Sequence, residues 1–319
     1  MAWKIPSTLW AQKTLRVPPV LLAAYREVAQ QRGWATTEGG QEQFVGAIGG
    51  PEESDARAHF VGRFFTSSIR TQFVMCDPWK KSPELVSLLL ERLGEGQLTL
   101  LDLAAGHGAG ALGMIATLHE ARISKALPSW PLDIQVLALD ISEASLQLYR
   151  DLLNTMAPEL RASGMHITLN TRVCDLTMPG IVDQAVDTIL VPAGEAPRLR
   201  LLAVVSAISG MDETTHQAVS LTLTNLAARL SHRNAGWLWV EPSAAKRHPA
   251  RTLSSLVDRL LRLLPPYGSI PLNETPIRFT DGIALQHSTI DWLDPFDAAG
   301  APIRGSVCAM GARSSSHGQ

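Results

Sequence analysis

Leu98-Thr-Leu-Leu-Asp102-Leu-Ala-Ala-Gly106-His-Gly108-Ala-Gly110-Ala-Leu-Gly113 decides how this chain of 319 residues folds. Four apolar residues and one Thr predict a strand with Asp102 at its end. A loop carrying Gly106, Gly108, Gly110 and Gly113 follows, and then an apolar, helix-forming run. Glycines at such a turn let backbone approach a ligand where a Cβ would collide, and the helix behind them presents unpaired N–H groups. About thirty residues on, a second strand-like run, Ile134–Leu139, ends in Asp140 and leads into another helix. A carboxylate at that strand tip is placed to accept hydrogen bonds from ribose hydroxyls. The pair predicts a nucleoside-cofactor site on a Rossmann-like sheet.

Two cofactor classes fit the loop. Gly108-Ala-Gly110-Ala-Leu-Gly113 satisfies G-x-G-x-x-G, the dinucleotide fingerprint. The longer phrase Asp102-Leu-Ala-Ala-Gly106-His-Gly108 resembles motif I of class I S-adenosylmethionine-dependent methyltransferases. In that family an acidic residue and a Gly-x-Gly wrap the amino-acid end of the cofactor. That end carries an ammonium group, which suits a nearby carboxylate better than a pyrophosphate does.

The resemblance continues in register. Val136-Leu-Ala-Leu-Asp140-Ile-Ser142 resembles the second motif, with Asp140 as the implied ribose ligand and Ser142 as a helix cap. His166–Val173 is the next predicted strand. Cys174-Asp175-Leu176 resembles the third motif, whose Asp meets the adenine amino group. Gly236-Trp-Leu-Trp-Val-Glu241-Pro242 resembles the fifth strand, after a helix over Asp212–Ser231 and a turn at Asn234–Gly236. The fourth strand has two candidates, Val186–Val191 and Leu199–Ser206. Leu201–Ser206 is preferred, with Ile181–Leu190 then a helix and Pro192–Pro197 a loop.

The implied fold is α/β, a Rossmann-like methyltransferase sheet, mostly parallel with a C-terminal antiparallel strand and flanked by helices. Gly282–Thr289 and Ile303–Gly311 are the predicted closing pair, which dinucleotide folds generally lack. The implied cofactor is S-adenosyl-L-methionine. Its implied binding set is Asp102, Ala104, Gly106, His107, Gly108, Asp140, Ile141, Asp175, Leu176 and Ser206. Ala104 stands where the family has its first glycine. Val240-Glu241-Pro242 before a basic helix also resembles the Rsm22-like branch linked to small ribosomal subunits, although that branch is cysteine-rich and this chain is not.

Pro18–Arg32, Ser54–Met75 and a segment from Pro83 to Leu93 are predicted helices, the last with Ser82 as cap. Thr36–Pro51 is a predicted loop, and Ala250–Leu264 a further helix. Residues 1–96 therefore form an expected N-terminal helical cap, 97–312 the methyltransferase domain, and 313–319 a disordered polar tail. In small-molecule methyltransferases such an extension commonly covers the substrate side of the pocket; packing or dimerisation is the other use.

Charge is nearly balanced at −2, which predicts no overall nucleic-acid-binding field. The three cysteines, Cys76, Cys174 and Cys308, form no C-x-x-C pair. Neither disulfides nor a metal site is expected, and a reducing cytoplasm is the expected setting. No run approaches eighteen apolar residues, so no membrane association is expected.

Methyl transfer from a sulfonium is an in-line displacement in which the cofactor supplies the electrophile. The protein aligns the nucleophile and excludes water. This chemistry makes the cofactor readable and leaves the acceptor open; the expected acceptor is a small molecule or a peptide, with no catalytic base assigned. His216, Glu241 and His287 are candidate bases, each with an equally simple structural role. Arg70, with Thr66, Ser67, Ser68 and Gln72, makes a polar helix face able to reach the cofactor carboxylate or an acidic substrate. Lys246-Arg247-His248, followed by Arg251, Arg259 and Arg262, could receive RNA phosphates. The alternatives are an RNA methyltransferase of ribosome-associated type, an NAD-linked oxidoreductase, and a non-catalytic methyltransferase-like protein.

Overall fold

Buried strands of a parallel sheet carry apolar residues on both sides, and this chain has four such runs in its middle. The computed structural model describes residues 3–34, 50–190, 200–206, 208, 211–230, 233, 235–242, 277–278, 284–297, 301–313 and 315–316. A short hairpin, β1 (Trp10–Ala11) and β2 (Thr14–Leu15), precedes three helices, α1 (Pro19–Gln31), α2 (Glu53–Cys76) and α3 (Pro83–Leu93). Then β3 (Gly96–Leu103), α4 (Ala109–Ile123), β4 (Leu132–Asp140), α5 (Glu143–Ala162) and β5 (Met165–Val173) alternate. The alternation continues through α6 (Pro179–Leu190), β6 (Arg200–Ser206), α7 (Glu213–Leu230) and β7 (Gly236–Glu241). The described C-terminal elements are β8 (Ile277–Arg278), β9 (Ala284–Trp292), β10 (Ile303–Arg313) and β11 (Ser315–Ser316).

The main sheet has the order β1-β2-β9-β10-β7-β6-β3-β4-β5. Strands β7, β6, β3, β4 and β5 are parallel, and β10 runs antiparallel to both β7 and β9. The closing antiparallel strand expected from the sequence is thus in place. The fourth strand is β6, the preferred choice, and Val186 lies in α6 instead.

Alternation along each strand divides the core in two. Leu98, Leu100, Val136, Leu202, Val204, Leu238 and Val240 face one buried cluster with residues of α1 to α5. Leu101, Leu103, Leu137, Leu201, Val205, Trp237 and Trp239 face the other, with residues of α6 and α7. The N-terminal helices therefore share the cluster that holds α4 and α5.

Several expectations need correction. The extension is not purely helical, because Leu15 pairs with Trp292 and adds β1–β2 to the edge of the main sheet. Gln12 and Lys13 turn that hairpin at φ +53° and +62°. Asp102 is the penultimate residue of β3 rather than its end. Gly110 and Gly113 lie inside α4, not in the loop. Ser82 precedes α3 but its side chain makes no capping bond. Asp77 organises that corner instead, accepting the Lys81 and Ser82 N–H groups at 2.9 and 2.8 Å. The tail does not begin at Arg313, which ends β10; Ser315–Ser316 pairs antiparallel with Ile277–Arg278. The loop expected over residues 36–51 up to residue 49, the Pro192–Pro197 loop, the Ala250–Leu264 helix and the basic segment from Lys246 to Arg262 lie outside the described residues. Among the described residues, no helix is long and apolar enough to cross a membrane.

Candidate functional site

A parallel sheet gathers ligands beyond the carboxyl ends of its strands, where the connection changes direction. Here β3 has β6 on one side and β4 on the other, so the turn after β3 sits at that point. Ala104, Gly106 and Gly108 all adopt the left-handed region, at φ +56°, +52° and +74°. Ala104 pays the strain of a Cβ in that region, roughly 1 kcal/mol, where a glycine would not.

Each glycine has its own reason. A Cβ on Gly106 would meet nothing within 4 Å, so this backbone borders open space. On Gly108 it would lie 2.4 Å from the Tyr149 ring of α5. On Gly110 it would lie 2.6 Å from Ser206 Oγ, and on Gly113 2.6 Å from the Ser68 carbonyl of α2. Gly110 thus makes room for the end of β6 and Gly113 lets α2 cross α4 closely, and Thr71 Oγ lies 2.9 Å from the Gly110 carbonyl at the crossing. The G-x-G-x-x-G spacing is thus accounted for by packing, not by a pyrophosphate.

Asp140 fixes the turn. Its carboxylate accepts the Gly106 N–H at 2.7 Å and the Ser142 N–H at 2.9 Å. Burial raises its pKa, and backbone N–H groups of Ser142, Gly106 and Ile141 oppose the rise. Ser142 caps α5, its Oγ accepting the Ser145 N–H at 3.2 Å. Ile141 is exposed beside it, as are Val173 and Met178 near the ends of the neighbouring strand. Asp175 is exposed and takes the Thr177 N–H at 2.8 Å, while Leu176 and Cys174 are buried beneath. Ser206 ends β6 facing Gly110.

Asp102 is the least expected member. It is 1% exposed, and neither oxygen has a partner in hydrogen-bond geometry. Burial pushes its carboxyl up to about 8, the nearby Tyr149 hydroxyl draws it down, and Asp140 adds a smaller upward push. A buried carboxyl beside a glycine turn, with the Tyr149 hydroxyl near it and no cation paired to it among the described residues, is what an incoming ammonium group would complete.

His107 points away from the open space. Its Nε2 lies 2.9 Å from the Ala56 carbonyl and its Nδ1 3.1 Å from His59 Nδ1. A carbonyl only accepts, so His107 carries its proton on Nε2, and His59 donates from Nδ1. Burial lowers His107 to about 3 and His59 to about 4, so both are neutral at pH 7. Nothing local in the sequence marked His59, which stands forty-eight residues away.

This pair predicts an acid-side loss of stability. Unfolded histidine takes up its proton near 6.5, and folded His107 does so only near 3. Stability from this group is complete above 6.5 and falls as pH drops toward 3. By pH 4 the deficit is about 3 kcal/mol. Urea unfolding of wild type and His107→Gln at steps from pH 7 to 4 should give converging free energies; parallel profiles would remove the histidine from the account.

The candidate bases separate. Glu241 is 3% exposed, its Oε1 taking the Ile208 N–H at 3.0 Å and the Trp239 indole at 2.9 Å. It holds the segment after β6. His216 lies in the first turn of α7, and His287 lies in β9 with its side chain outside the described set. Of the polar face on α2, Ser68 and Gln72 turn inward, and Arg70 reaches Ser306.

Neither a family model nor a curated protein matches the chain. Solved structures resemble it. A precorrin-6y C5,15-methyltransferase from Geobacter metallireducens is 14% identical over 72% of this chain and 87% of its own, with a TM-score of 0.33. A SAM-dependent methyltransferase from Aquifex aeolicus is 10% identical over 82% and 98%, at 0.34. An rRNA methyltransferase from Streptomyces viridochromogenes is 18% identical over 72% and 82%, at 0.31. The chain's own strand order, with its antiparallel closing strand, and its glycine turn define a Rossmann-like methyltransferase fold.

Proposed function

We propose that this chain is an S-adenosyl-L-methionine-dependent methyltransferase whose acceptor is a small molecule or a peptide. One observation carries the proposal. The open backbone at Gly106 is held by a fixed carboxylate, Asp140, and the strand leading into its turn carries a buried carboxyl, Asp102, with no cation paired to it among the described residues. Asp102 suits the cofactor's ammonium, and Asp140 keeps lone pairs for ribose hydroxyls after serving two N–H groups. Ile141 offers an exposed apolar surface to the adenine, and Asp175 an acceptor for its amino group. Ala104, Gly108 and Ser206 shape the floor, and His107 secures it from behind. Bound there, the cofactor supplies an electrophilic methyl group.

Residues 1–96 serve as the cap, with α2 reaching the glycine turn through the His59–His107 contact and the first turn of α4 through the Thr71–Gly110 contact. Three buried free cysteines suit a reducing cytoplasm.

Calorimetry with S-adenosylmethionine, S-adenosylhomocysteine and NAD tests the proposal. Saturable binding of the two adenosyl compounds without NAD is the expected result; NAD alone would overturn it. Asp140→Ala should weaken that binding by roughly 1–3 kcal/mol through lost hydrogen bonds. Unchanged affinity would remove Asp140 from the site.

A further inference from the structure

Helix α2 carries His59, Arg63, Thr66 and Arg70 at helical spacing, one polar stripe along one face. The stripe starts at the glycine turn, where His59 meets His107, and ends at β10, where Arg70 Nε donates to the Ser306 carbonyl at 3.1 Å. In the β10–β7 ladder Cys308 is opposite Glu241, the last residue of β7. Ser306 lies two residues further out, beyond the carboxyl end of the parallel strands. Arg70 therefore stands at the mouth of the sheet on the β7 side. Asp140 and Asp175 stand over β4 and β5, on the opposite side of the glycine turn.

Arg70 is half-buried and fixed by its Nε. Among the described residues no carboxylate lies within ion-pair distance of it, although Glu241 acts on it through space, as does Arg63. Burial lowers its pKa to about 10, and it stays charged at neutral pH. A guanidinium held by one nitrogen presents its planar terminal pair to a two-oxygen anion, which is the geometry arginine uses for carboxylate and phosphate.

We infer that Arg70, with Arg63 two turns before it, is the anion-recognition site of the methyl acceptor, so that the molecule methylated carries a carboxylate or a phosphate. This rests on the methyltransferase proposal and narrows its substrate class. One guanidinium recessed between α2 and β10, with a second on the exposed stretch of α2 two turns before it, suits a small anion rather than an extended polyphosphate, whose contacts spread over a wider exposed surface.

The test is titration of benzoate, inorganic phosphate and neutral benzamide into protein saturated with S-adenosylhomocysteine, at low salt. Binding of either anion without benzamide is expected. Arg70→Gln should weaken the anion at least tenfold while holding S-adenosylhomocysteine affinity within twofold. Arg63→Gln, on an exposed position, should weaken it several-fold and guards against a folding defect in the first variant. Equal behaviour of benzoate and benzamide, or an anion affinity untouched by both variants, overturns the inference. So does binding of an RNA oligonucleotide with both small anions refused. If Arg70→Gln instead weakens S-adenosylhomocysteine tenfold and spares methylthioadenosine, which lacks the carboxylate, the arginine serves the cofactor and the acceptor assignment falls. Failure of wild type to bind S-adenosylhomocysteine takes down the methyltransferase proposal itself, and this inference with it.

Discussion

Asp102→Asn is expected to make the ligand-free protein more stable at pH 7 and, at the same time, a poorer cofactor binder. The two signs share one cause. Unfolded, Asp102 ionises near 3.8; folded and buried, it holds its proton up to about 8. A raised carboxyl contributes its full stability below 3.8 and loses it as pH climbs toward 8. Each pH unit in that window costs about 1.4 kcal/mol, so about 4 kcal/mol is missing from wild type at pH 7. Asparagine has nothing to ionise and escapes the loss. Denaturant unfolding from pH 4 to 8 should show the variant's advantage growing with pH, and an advantage independent of pH would contradict the assignment. The binding half follows because an ammonium group entering beside Asp102 favours its ionised form. Wild type should release up to one proton per cofactor at pH 7, visible as a binding enthalpy that depends on the buffer. Asp102→Asn should bind without that release.

Gly108→Ala carries the second large effect, and it is structural. The backbone there sits at φ +74°, and an added Cβ would lie 2.4–2.5 Å from three atoms of the Tyr149 ring. Tyr149 is fully buried and has no free direction in which to yield. Left-handed strain of roughly 1–2 kcal/mol and overpacking of roughly 1–3 kcal/mol add to about 2–5 kcal/mol of lost stability. Gly106→Ala shares the backbone strain but meets open space, so it should cost about 1 kcal/mol of stability and act chiefly on ligand binding. Thermal or urea unfolding of the pair separates the two glycines. Equal losses would mean that Tyr149 moves aside.

Much of this was legible before any coordinates, for identifiable reasons. The runs that became β3, β4, β6 and β7 are apolar on both faces, and only a sheet covered on both sides accommodates them. Asp140 was legible because a carboxylate at a strand tip before a capped helix has few other uses. The hairpin of β1 and β2 was hidden because its turn uses Gln12 and Lys13 at positive φ, where asparagine and glycine are the usual signal. Gly110 and Gly113 looked like loop residues because closely spaced glycines usually are. The demand for them comes from distant parts of the chain, Ser206 of β6 for Gly110 and Ser68 and Thr71 of α2 for Gly113.

By itself the sequence determined the order of strands and helices, the place of the glycine turn and the acidic residues at the strand tips. These depend on periodicity and on neighbours a few positions apart. Only the tertiary structure decided that His107 turns back to His59, that Glu241 is spent on Ile208 and Trp239, that Asp102 is buried beside Tyr149, and that Arg70 reaches the mouth of the sheet on β10. Desolvation and hydrogen-bond partnership belong to groups brought together from distant parts of the chain, and no local pattern records which groups those are.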